Sequence, residues 1–145
     1  MGYFRTFKKK IMTTGTFDIL HYGHINLLKK AKSMGDYLVV GLNVTKNGKK
    51  TFYPYKERKK MLEAIKYVDK VVRINTQADK FKYTDDIDLF VIGDDYIGHP
   101  DVEEVKKYLP VKFIKRTPNI STSKIKECMK GKKDEIYYHE WWGLQ

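Results

Sequence analysis

The sequence predicts an α/β protein, with a doubly wound parallel sheet of five strands and helices on both faces. Short apolar stretches rich in β-branched residues alternate with stretches of helical periodicity, which is typical of βαβ units. The stretch 36–44 is apolar and β-branched, as expected for a strand buried on both faces. At 145 residues without a visible internal repeat, the chain is expected to form one main domain.

The first half of the chain supplies two predicted strands and two predicted helices. A strand over 10–14 precedes a helix over 22–34, in which apolar residues recur at near-helical spacing. We expect Gly35 to end this helix, because glycine readily adopts the left-handed conformation of a helix C-terminus. The buried strand over 36–44 follows, and Pro54 opens the second helix.

The second half continues the alternation and completes the sheet. The remaining strands are predicted over 68–74, 87–93 and 111–115, and the remaining helices over 101–109 and 122–130. The pattern of residues 75–86 is ambiguous and fits a short helix. Together with the first half, this makes five strands joined by helical crossovers.

Function is expected at one edge of this sheet. Ligands of open parallel sheets bind beyond the carboxyl ends of the strands, where the strand order reverses. The loops that lie at this edge are 14–21, 43–53, 93–99 and 116–121.

The chain divides into an N-terminal extension 1–9, the α/β domain 10–130 and a tail 131–145. The aromatic, charged tail could pack on the domain, cover a dimer partner or be loose.

The composition favours small anionic partners over the other classes that a basic protein suggests. The net charge is +11, but the lysines are scattered in pairs and form no single basic block, so a nucleic-acid-binding module is the less favoured alternative. The longest apolar run, 37–42, is too short to span a bilayer, and no signal peptide is visible. With Cys128 as its single cysteine, the chain is expected to be cytoplasmic, without membrane insertion.

The stretch TTGTFDILHYGH, residues 13–24, ends in a pair of histidines at the start of the first helix. His21 and His24 are three residues apart and therefore point to one side. A helix N-terminus favours a phosphate, and two imidazoles there can stabilise the charge that builds on a phosphate during transfer. Gly23 is interpreted as leaving space for that phosphate.

The turn before the pair adds further groups that suit a phosphate. Gly15 allows a tight turn, and with the hydroxyls of Thr14 and Thr16 it exposes main-chain N–H groups. The two histidines could instead be a metal pair, although zinc needs a third or fourth ligand and none is near in the sequence. They could also be ordinary surface residues, and the spacing alone leaves these alternatives open.

A second candidate segment, RTPNISTSKIK, covers residues 116–126. Arg116 follows a strand and offers a planar guanidinium to a phosphate or a base. Ser121 and Thr122 stand where a helix begins, where hydroxyls and N–H groups can hold distal phosphates. Taken alone, this serine and threonine pattern is better explained as an ordinary helix cap.

Four segments together resemble one known family. The HxGH element of GTFDILHYGH is similar to the signature of the nucleotidylyltransferase superfamily, and RTPNISTSKIK resembles a segment of its cytidylyltransferases. The stretches 53–72 and 88–96 add two more matches, and the resemblance runs from about Lys10 to Lys130. The chain is therefore identified as a member of the cytidylyltransferases, most similar to the small bacterial enzymes for glycerol 3-phosphate. The resemblance implies a Rossmann-like nucleotidylyltransferase fold.

The resemblance also implies a role for each matched residue. It implies catalytic roles for His21, His24, Lys49 and Arg116, and nucleotide binding by Thr14, Gly15, Thr16, Phe17, Gly23, Asp94, Thr117, Ile120, Ser121 and Thr122. It implies acceptor contacts for Asp18, Lys50, Arg58 and Lys66. Asp18 is interpreted first as orienting a histidine or the turn. Without the resemblance, Lys49 and Lys50 would be read as a solvated loop and Asp94 as a turn carboxylate.

The implied reaction transfers CMP from CTP to glycerol 3-phosphate by in-line attack on the α-phosphate. Mg²⁺ is expected with the triphosphate, no metal site in the protein itself, and a homodimer. Some positions depart from the family: Lys66 replaces an arginine, Asn119 replaces a glycine, and a tryptophan is missing after the third strand. Another acceptor (phosphoethanolamine, phosphocholine or another polyol phosphate), an adenylyltransferase such as FAD synthetase, and a non-catalytic nucleotide sensor therefore remain alternatives.

Overall fold

The computed structural model describes residues 8–130 and contains one sheet of five parallel strands. The strands are β1 (Lys10–Gly15), β2 (Tyr37–Asn43), β3 (Lys70–Ile74), β4 (Leu89–Gly93) and β5 (Val111–Ile114). They lie in the order β3-β2-β1-β4-β5, so the strand order reverses between β1 and β4. This confirms the predicted doubly wound sheet. The tail 131–145 and the first seven residues lie outside the described residues.

Within the described residues, four α-helices and two 3-10 segments join the strands. The α-helices are α1 (Tyr22–Ser33), α2 (Tyr55–Glu63), α3 (Pro100–Val105) and α4 (Thr122–Lys130). The 3-10 segments are Gln77–Asp86 and Asp94–Tyr96. The ambiguous region is thus largely a 3-10 helix, opened by a capping box between Thr76 and Asp79. In this part of the chain, no helix has the length and apolar character that a membrane crossing requires.

The sheet separates two hydrophobic cores, because successive side chains of a strand point to opposite faces. On one face, Ile11 of β1 belongs to a buried cluster with Leu28 of α1 and Leu62 of α2. On the other face, the next residue, Met12, belongs to a cluster with Val102 of α3. Each fully buried side chain of this size contributes about 1.5–3 kcal/mol relative to an exposed one. The two cores hold the parallel strands so that their carboxyl ends share one edge.

The end of α1 corrects the prediction for Gly35. The helix is capped by Met34, whose φ of −87° is right-handed, and Gly35 is not among the residues with positive φ. A Cβ atom placed on Gly35 would lie 2.7 Å from the carbonyl oxygen of Lys9 and 2.7 Å from Cγ1 of Ile11. Glycine is therefore required because β1 passes close to the helix end, not because the cap is left-handed.

Candidate active site

A cleft of about 680 Å³ opens at the carboxyl edge of the sheet, where the strand order reverses. Its walls come from the β1–α1 turn, the start of α1, the segment after β4, and the segment from β5 into α4. The two candidate motifs therefore meet across one cavity, although about ninety residues of chain separate them. The volume is typical of a site for a small organic ligand.

Most of the predicted site residues line this cleft. They are Thr14, Gly15, Thr16, Phe17, Asp18, His21, Gly23, His24, Arg116, Thr117, Ile120, Ser121 and Thr122. The predicted residues that do not line it are Lys49, Lys50, Arg58, Lys66 and Asp94. Most of the residues predicted to bind the nucleotide thus line one cleft, whereas most of the residues predicted to contact the acceptor lie outside it.

The two histidines form the N-terminal cap of α1. His21 is the N-cap residue, and its Nδ1 accepts a hydrogen bond from the N–H of Gly23 at 3.1 Å. Nδ1 of His24 accepts one from the N–H of His21 at 3.3 Å. The rings stack with centroids 3.8 Å apart and planes 26° from parallel. Because both Nδ1 atoms accept, each neutral ring carries its proton on Nε2 and can donate from there.

Both histidines are held in the neutral form near pH 7. Burial, and then the neighbouring His21, lower the pKa of His24 from 6.5 to about 4. Burial, and then the charge of Arg116, lower the pKa of His21. The pair can therefore act as two aligned neutral donors, and the positive charge facing a phosphate must come from other groups.

The glycines of the first motif make room for side chains of the site. A Cβ on Gly23 would lie 2.8 Å from Cε1 of His21 and 3.1 Å from Cγ2 of Ile120. The crowding predicted at Gly23 therefore involves the capping imidazole itself. A Cβ on Gly15 would lie 2.8 Å from the ring of Phe17, and it is Phe17, not Gly15, that adopts a positive φ of 47° in the turn. The buried Phe17 ring lies 5.2 Å from that of His24.

Asp18 orients the loop after β2 and does not contact a histidine through a hydrogen bond in the described structure. Its carboxylate, 3% exposed, accepts the N–H groups of Phe52 and Tyr53 at 2.9 and 3.0 Å and the ammonium of Lys126 at 2.7 Å. These partners lower its pKa, although burial opposes them as the largest single effect. The interpretation as an orienting residue fits this geometry better than direct acceptor binding.

Arg58 is fully buried and does not face the cleft, contrary to its predicted contact with the acceptor. Its guanidinium donates four hydrogen bonds of 2.6–2.9 Å to main-chain carbonyls, those of Thr16, Asn43, Val44 and Tyr53. The planar fork thus joins the ends of β1 and β2 to the start of α2. Four of the five N–H groups of Arg58 are therefore engaged with the main chain rather than with a ligand in the cleft.

The lysine that the loop after β2 places at the cleft is Lys46. The main chain pairs Lys46 with Lys49 in both directions around a tight turn, with positive φ at Asn47 and Gly48. Lys46 lines the cleft, whereas Lys49 and Lys50 are exposed outside it. The predicted loop does bring a lysine to the cleft, but because the turn reverses the chain, that lysine is Lys46 and not Lys49.

Lys66 lies at the opposite edge of the sheet, because α2 runs antiparallel to the strands. Three residues later, the N–H of Asp69 bonds to the carbonyl of Leu38, near the start of β2. The ammonium of Lys66 lies 5.3 Å from the ring centroid of its neighbour Tyr67. Lys66 therefore does not line the cleft of its own chain, and its contact with the acceptor stays a prediction.

The second motif is tied to the rest of the cleft by hydrogen bonds. Asp94, predicted to contact the base, instead accepts the N–H of Arg116 at 3.1 Å and so joins the ends of β4 and β5. Thr117 accepts from the side-chain amide of Asn26 of α1 at 3.1 Å. Asn119 adopts the left-handed conformation, φ 65°, that its position at a family glycine predicts.

Ser121 and Thr122 begin α4 at the cleft. Oγ of Ser121 accepts the N–H of Lys124 at 3.0 Å, as an N-cap does, and the hydroxyl of Thr122 donates to the carbonyl of Ile19 at 3.2 Å. The helix-cap interpretation of Ser121 is therefore confirmed. Because both residues also line the cleft, the cap and a phosphate-binding role are compatible.

Several groups near the site were not singled out from the sequence. Tyr96 and Asp95 line the cleft after β4, and Lys46 does so after β2. Outside the cleft lining, Lys80 is 5% exposed, burial lowers its pKa, and it makes no ion pair within 4 Å among residues 8–130. Only the burial of a lysine could have marked Lys80, and a pattern of scattered lysines does not reveal burial.

The described residues contain no group of three or more histidine, cysteine or acidic side chains placed to hold a metal ion. In the cleft, Asp18 is committed to main-chain N–H groups and Lys126, which leaves Asp95 as a free carboxylate among the described lining residues. The donor set therefore fits a cation carried by a phosphate ligand better than a cation held by the protein alone.

Known proteins and one family model are similar to this chain over most of its length. A family model described as cytidylyltransferase-like matches residues 12–128. The chain is 43% identical over 134 residues to the glycerol-3-phosphate cytidylyltransferase of Staphylococcus aureus (strain NCTC 8325 / PS 47), which covers 86% of this chain and 97% of that protein. It is 45% identical over 129 residues to the glycerol-3-phosphate cytidylyltransferase of Bacillus subtilis (strain 168), covering 85% and 98%.

A solved structure supports the fold. The lipopolysaccharide core biosynthesis protein from Thermoplasma volcanium GSS1 is similar to this chain with a TM-score of 0.61 and 30% sequence identity. The match covers 77% of this chain and 98% of that one.

Proposed function

The chain belongs to the cytidylyltransferase-like family, and from this premise we propose that it transfers CMP from CTP to glycerol 3-phosphate, which yields CDP-glycerol and pyrophosphate. The observation that carries the choice of substrates is the similarity, over nearly their full length, to glycerol-3-phosphate cytidylyltransferases. The structure supports it because both phosphate-handling motifs line one cleft of suitable volume.

The proposed chemistry is a single in-line displacement. An oxygen of the acceptor phosphate forms a bond to the α-phosphorus, and the bond from that phosphorus to the oxygen bridging to the β-phosphate breaks. The acceptor oxygen is already ionised, so no general base is needed, and pyrophosphate leaves with the electron pair. Catalysis then depends on positioning and on stabilising the charge that develops on the phosphoryl oxygens.

In the proposed reaction, neutral side chains of the cleft donate hydrogen bonds to the phosphate, and other groups provide positive charge. The Nε2–H groups of His21 and His24 would donate to the oxygens of the α-phosphate. The positive charge near the triphosphate would come from Arg116 and from the N-termini of α1 and α4. The charge of Arg116 already affects this region, since after burial it is the next cause that lowers the pKa of His21. We assign to Lys46 the loop lysine role that the sequence suggested for Lys49, because Lys46 is the one that lines the cleft.

Mg²⁺ is proposed to bind with the triphosphate. Among residues 8–130, the cleft has no group of protein ligands that would enclose the ion, and Mg²⁺ at nucleotide sites is usually held by phosphate oxygens, water and one or two carboxylates. Asp95 is the carboxylate available for that contact. When bound, the ion would neutralise part of the charge on the leaving pyrophosphate.

A homodimer and a cytoplasmic location are further proposals. The family resemblance implies the dimer, and a dimer would allow Lys66, which does not line its own cleft, to act at an acceptor site of the second subunit. Size-exclusion chromatography with light scattering would test the dimer, and a mass of one chain near 17.2 kDa would contradict it.

One assay tests the proposed reaction. Pyrophosphate release is measured with CTP or ATP against glycerol 3-phosphate, phosphoethanolamine, phosphocholine, another polyol phosphate and FMN. We expect CTP with glycerol 3-phosphate to exceed every other pair in kcat/KM by at least about tenfold. A higher rate with another acceptor, or with ATP and FMN, would overturn the substrate assignment.

Two outcomes without turnover would point to other classes. CTP binding without pyrophosphate release from any pair would indicate a nucleotide sensor. RNA binding that falls steeply with salt, again without turnover, would indicate a nucleic-acid-binding module.

A further inference from the structure

Three parts of the cleft that are distant in sequence meet on the carboxylate of Asp18. This side chain, in the β1–α1 turn, is 3% exposed. From the loop after β2, the N–H groups of Phe52 and Tyr53 donate to Oδ2 and Oδ1 at 2.9 and 3.0 Å. From α4, the ammonium of Lys126 donates to Oδ2 at 2.7 Å. One carboxylate therefore holds the loop after β2 and α4 at the same time.

The pair of Asp18 and Lys126 differs from the other ion pair on the same helix. Lys130 and Glu127 are each 76% exposed and 3.5 Å apart, a geometry that contributes little to stability. Asp18 is buried, so loss of Lys126 would leave a buried carboxylate with two main-chain N–H groups as its described partners. Breaking such a pair is costly because the remaining charge is desolvated.

Each partner of Asp18 belongs to a segment that also contributes to the cleft. The loop 44–53 carries Lys46, and α4 begins at Thr122, directly after its cap Ser121, and both of these residues line the cleft. The hydroxyl of Thr122 donates to Ile19, the residue after Asp18, so α4 is attached to the β1–α1 turn at two places. A shift of α4 away from the cleft would therefore pull on the contact that orders Phe52 and Tyr53.

We propose that Lys126 is a positioning residue that, acting through Asp18, couples the seating of α4 to the order of the loop 44–53. A nucleotide whose phosphates bind at the start of α4 would thereby help to place Lys46 at the cleft before the acceptor arrives. This inference rests on the proposed function, because it gives the order in which a nucleotide and an acceptor are accommodated.

The test combines kinetics with amide hydrogen exchange on the full chain. The variants are Lys126→Met, Lys126→Arg, Asp18→Asn and the double variant Asp18→Asn/Lys126→Met. Lys130→Met is the matched control, since it removes an exposed lysine one turn further along α4. The exchange of the Phe52 and Tyr53 amides is measured without ligand and with CTP alone.

We expect Lys126→Met to speed exchange of the two amides about tenfold, while the control keeps wild-type rates. CTP should slow their exchange in the wild type but not in Lys126→Met. The KM for glycerol 3-phosphate should rise about tenfold, with a smaller change in kcat, and Lys126→Arg should recover most of the loss. The double variant should be no worse than Asp18→Asn, because Lys126 acts through that carboxylate.

Two results would overturn the coupling. Wild-type exchange rates in Lys126→Met would show that α4 does not order the loop. Additive losses in the double variant would show that Lys126 acts on a substrate directly. A third result separates the two proposals. If the wild type releases no pyrophosphate but Lys126→Met still exchanges the two amides faster than the wild type, the proposed reaction is overturned and the positioning role remains.

Discussion

The helices α1 and α4 both begin at the cleft, but they are capped in different ways. α1 is capped by the stacked imidazoles of His21 and His24, which burial keeps neutral. α4 is capped by the hydroxyl of Ser121, close in sequence to the exposed Arg116. Directional neutral donors therefore come from one wall and positive charge mainly from the other.

We call the side of the cleft with His21 and His24 the α1 wall, and the side with Arg116 and Ser121 the α4 wall. The difference between them predicts separate kinetic roles. Donors that align with the transferring phosphoryl group should affect kcat, because their hydrogen bonds strengthen as charge develops in the transition state. Cations and a helix N-terminus that hold the triphosphate should affect both the ground state and the transition state, and so appear mainly in the KM for CTP.

The largest effect should follow from removing an Nε2 donor while keeping the cap. In His21→Asn, the amide oxygen can replace Nδ1 as the acceptor for Gly23, since asparagine is a good N-cap, but the Nε2–H is lost. We expect kcat to fall about 10²–10³-fold, with the melting temperature close to that of the wild type. Pyrophosphate release under saturating CTP measures this.

The control for that variant is His99→Asn. His99 caps α3 in the same way, with Nδ1 accepting the N–H of Asp101 at 3.2 Å, but it does not line the cleft. Its kcat should be unchanged. Equal losses in the two variants would mean that the cap, and not the donor, matters.

Lowering the pH should destabilise the folded chain through His24, at pH values above those at which carboxylates of lowered pKa take up protons. The pKa of His24 is about 4 in the folded chain and 6.5 in the unfolded chain, so between these values the unfolded chain binds a proton that the folded chain does not. The free energy of unfolding should therefore fall by about 3 kcal/mol as the pH drops from 6.5 to 4. Urea unfolding at several pH values, in the wild type and in His24→Asn, measures this. An equal slope in both chains would exclude His24 as the cause.

Changing the cation of the α4 wall should raise KM more than it lowers kcat. Arg116→Ala is expected to raise the KM for CTP roughly 30-fold, and Arg116→Lys to recover part of it without the planar fork. Arg73→Ala is the control, since Arg73 stacks on Tyr55 outside the cleft. A loss confined to kcat would remove the contrast between the two walls.

The smallest effect should follow from Ser121→Ala. Loss of the N-cap bond to Lys124 should cost about 1 kcal/mol of stability and raise the KM for CTP only a few-fold. Thermal unfolding and CTP titration measure the two effects. Ser33→Ala, at the far end of α1 and away from the cleft, should leave the KM unchanged.

The order of strands and helices was predictable because local patterns carry it. The buried strand β2 is visible in a run of apolar and β-branched residues, and α1 in a helical period. The region 77–86 was not predictable, because 3-10 geometry has no distinctive period in the sequence and depends here on a capping box and packing against the second core.

Only those parts of the candidate site that belong to short sequence motifs were predictable. The first motif alone suggested a phosphate site at the two histidines and the glycine between them, and only the family resemblance added the segment from Arg116 to Thr122 to that site. The sequence could not show that Arg58 donates its hydrogen bonds to four main-chain carbonyls, because those carbonyls belong to segments up to 42 residues away. Nor could it show which loop lysine faces the cleft, because a turn at Asn47 and Gly48 decides that.

The amino-acid sequence was therefore enough to identify the α/β class, the family and two segments predicted to bind phosphate, since short stretches of chain encode each of them. How the residues of those segments contact one another became visible only in the folded chain. Burial, and then the charge of Arg116, lower the pKa of His21, burial and then His21 lower that of His24, and the shared contacts of Asp18 join two loops and a helix. Desolvation and hydrogen bonding between distant segments exist only once the chain has folded.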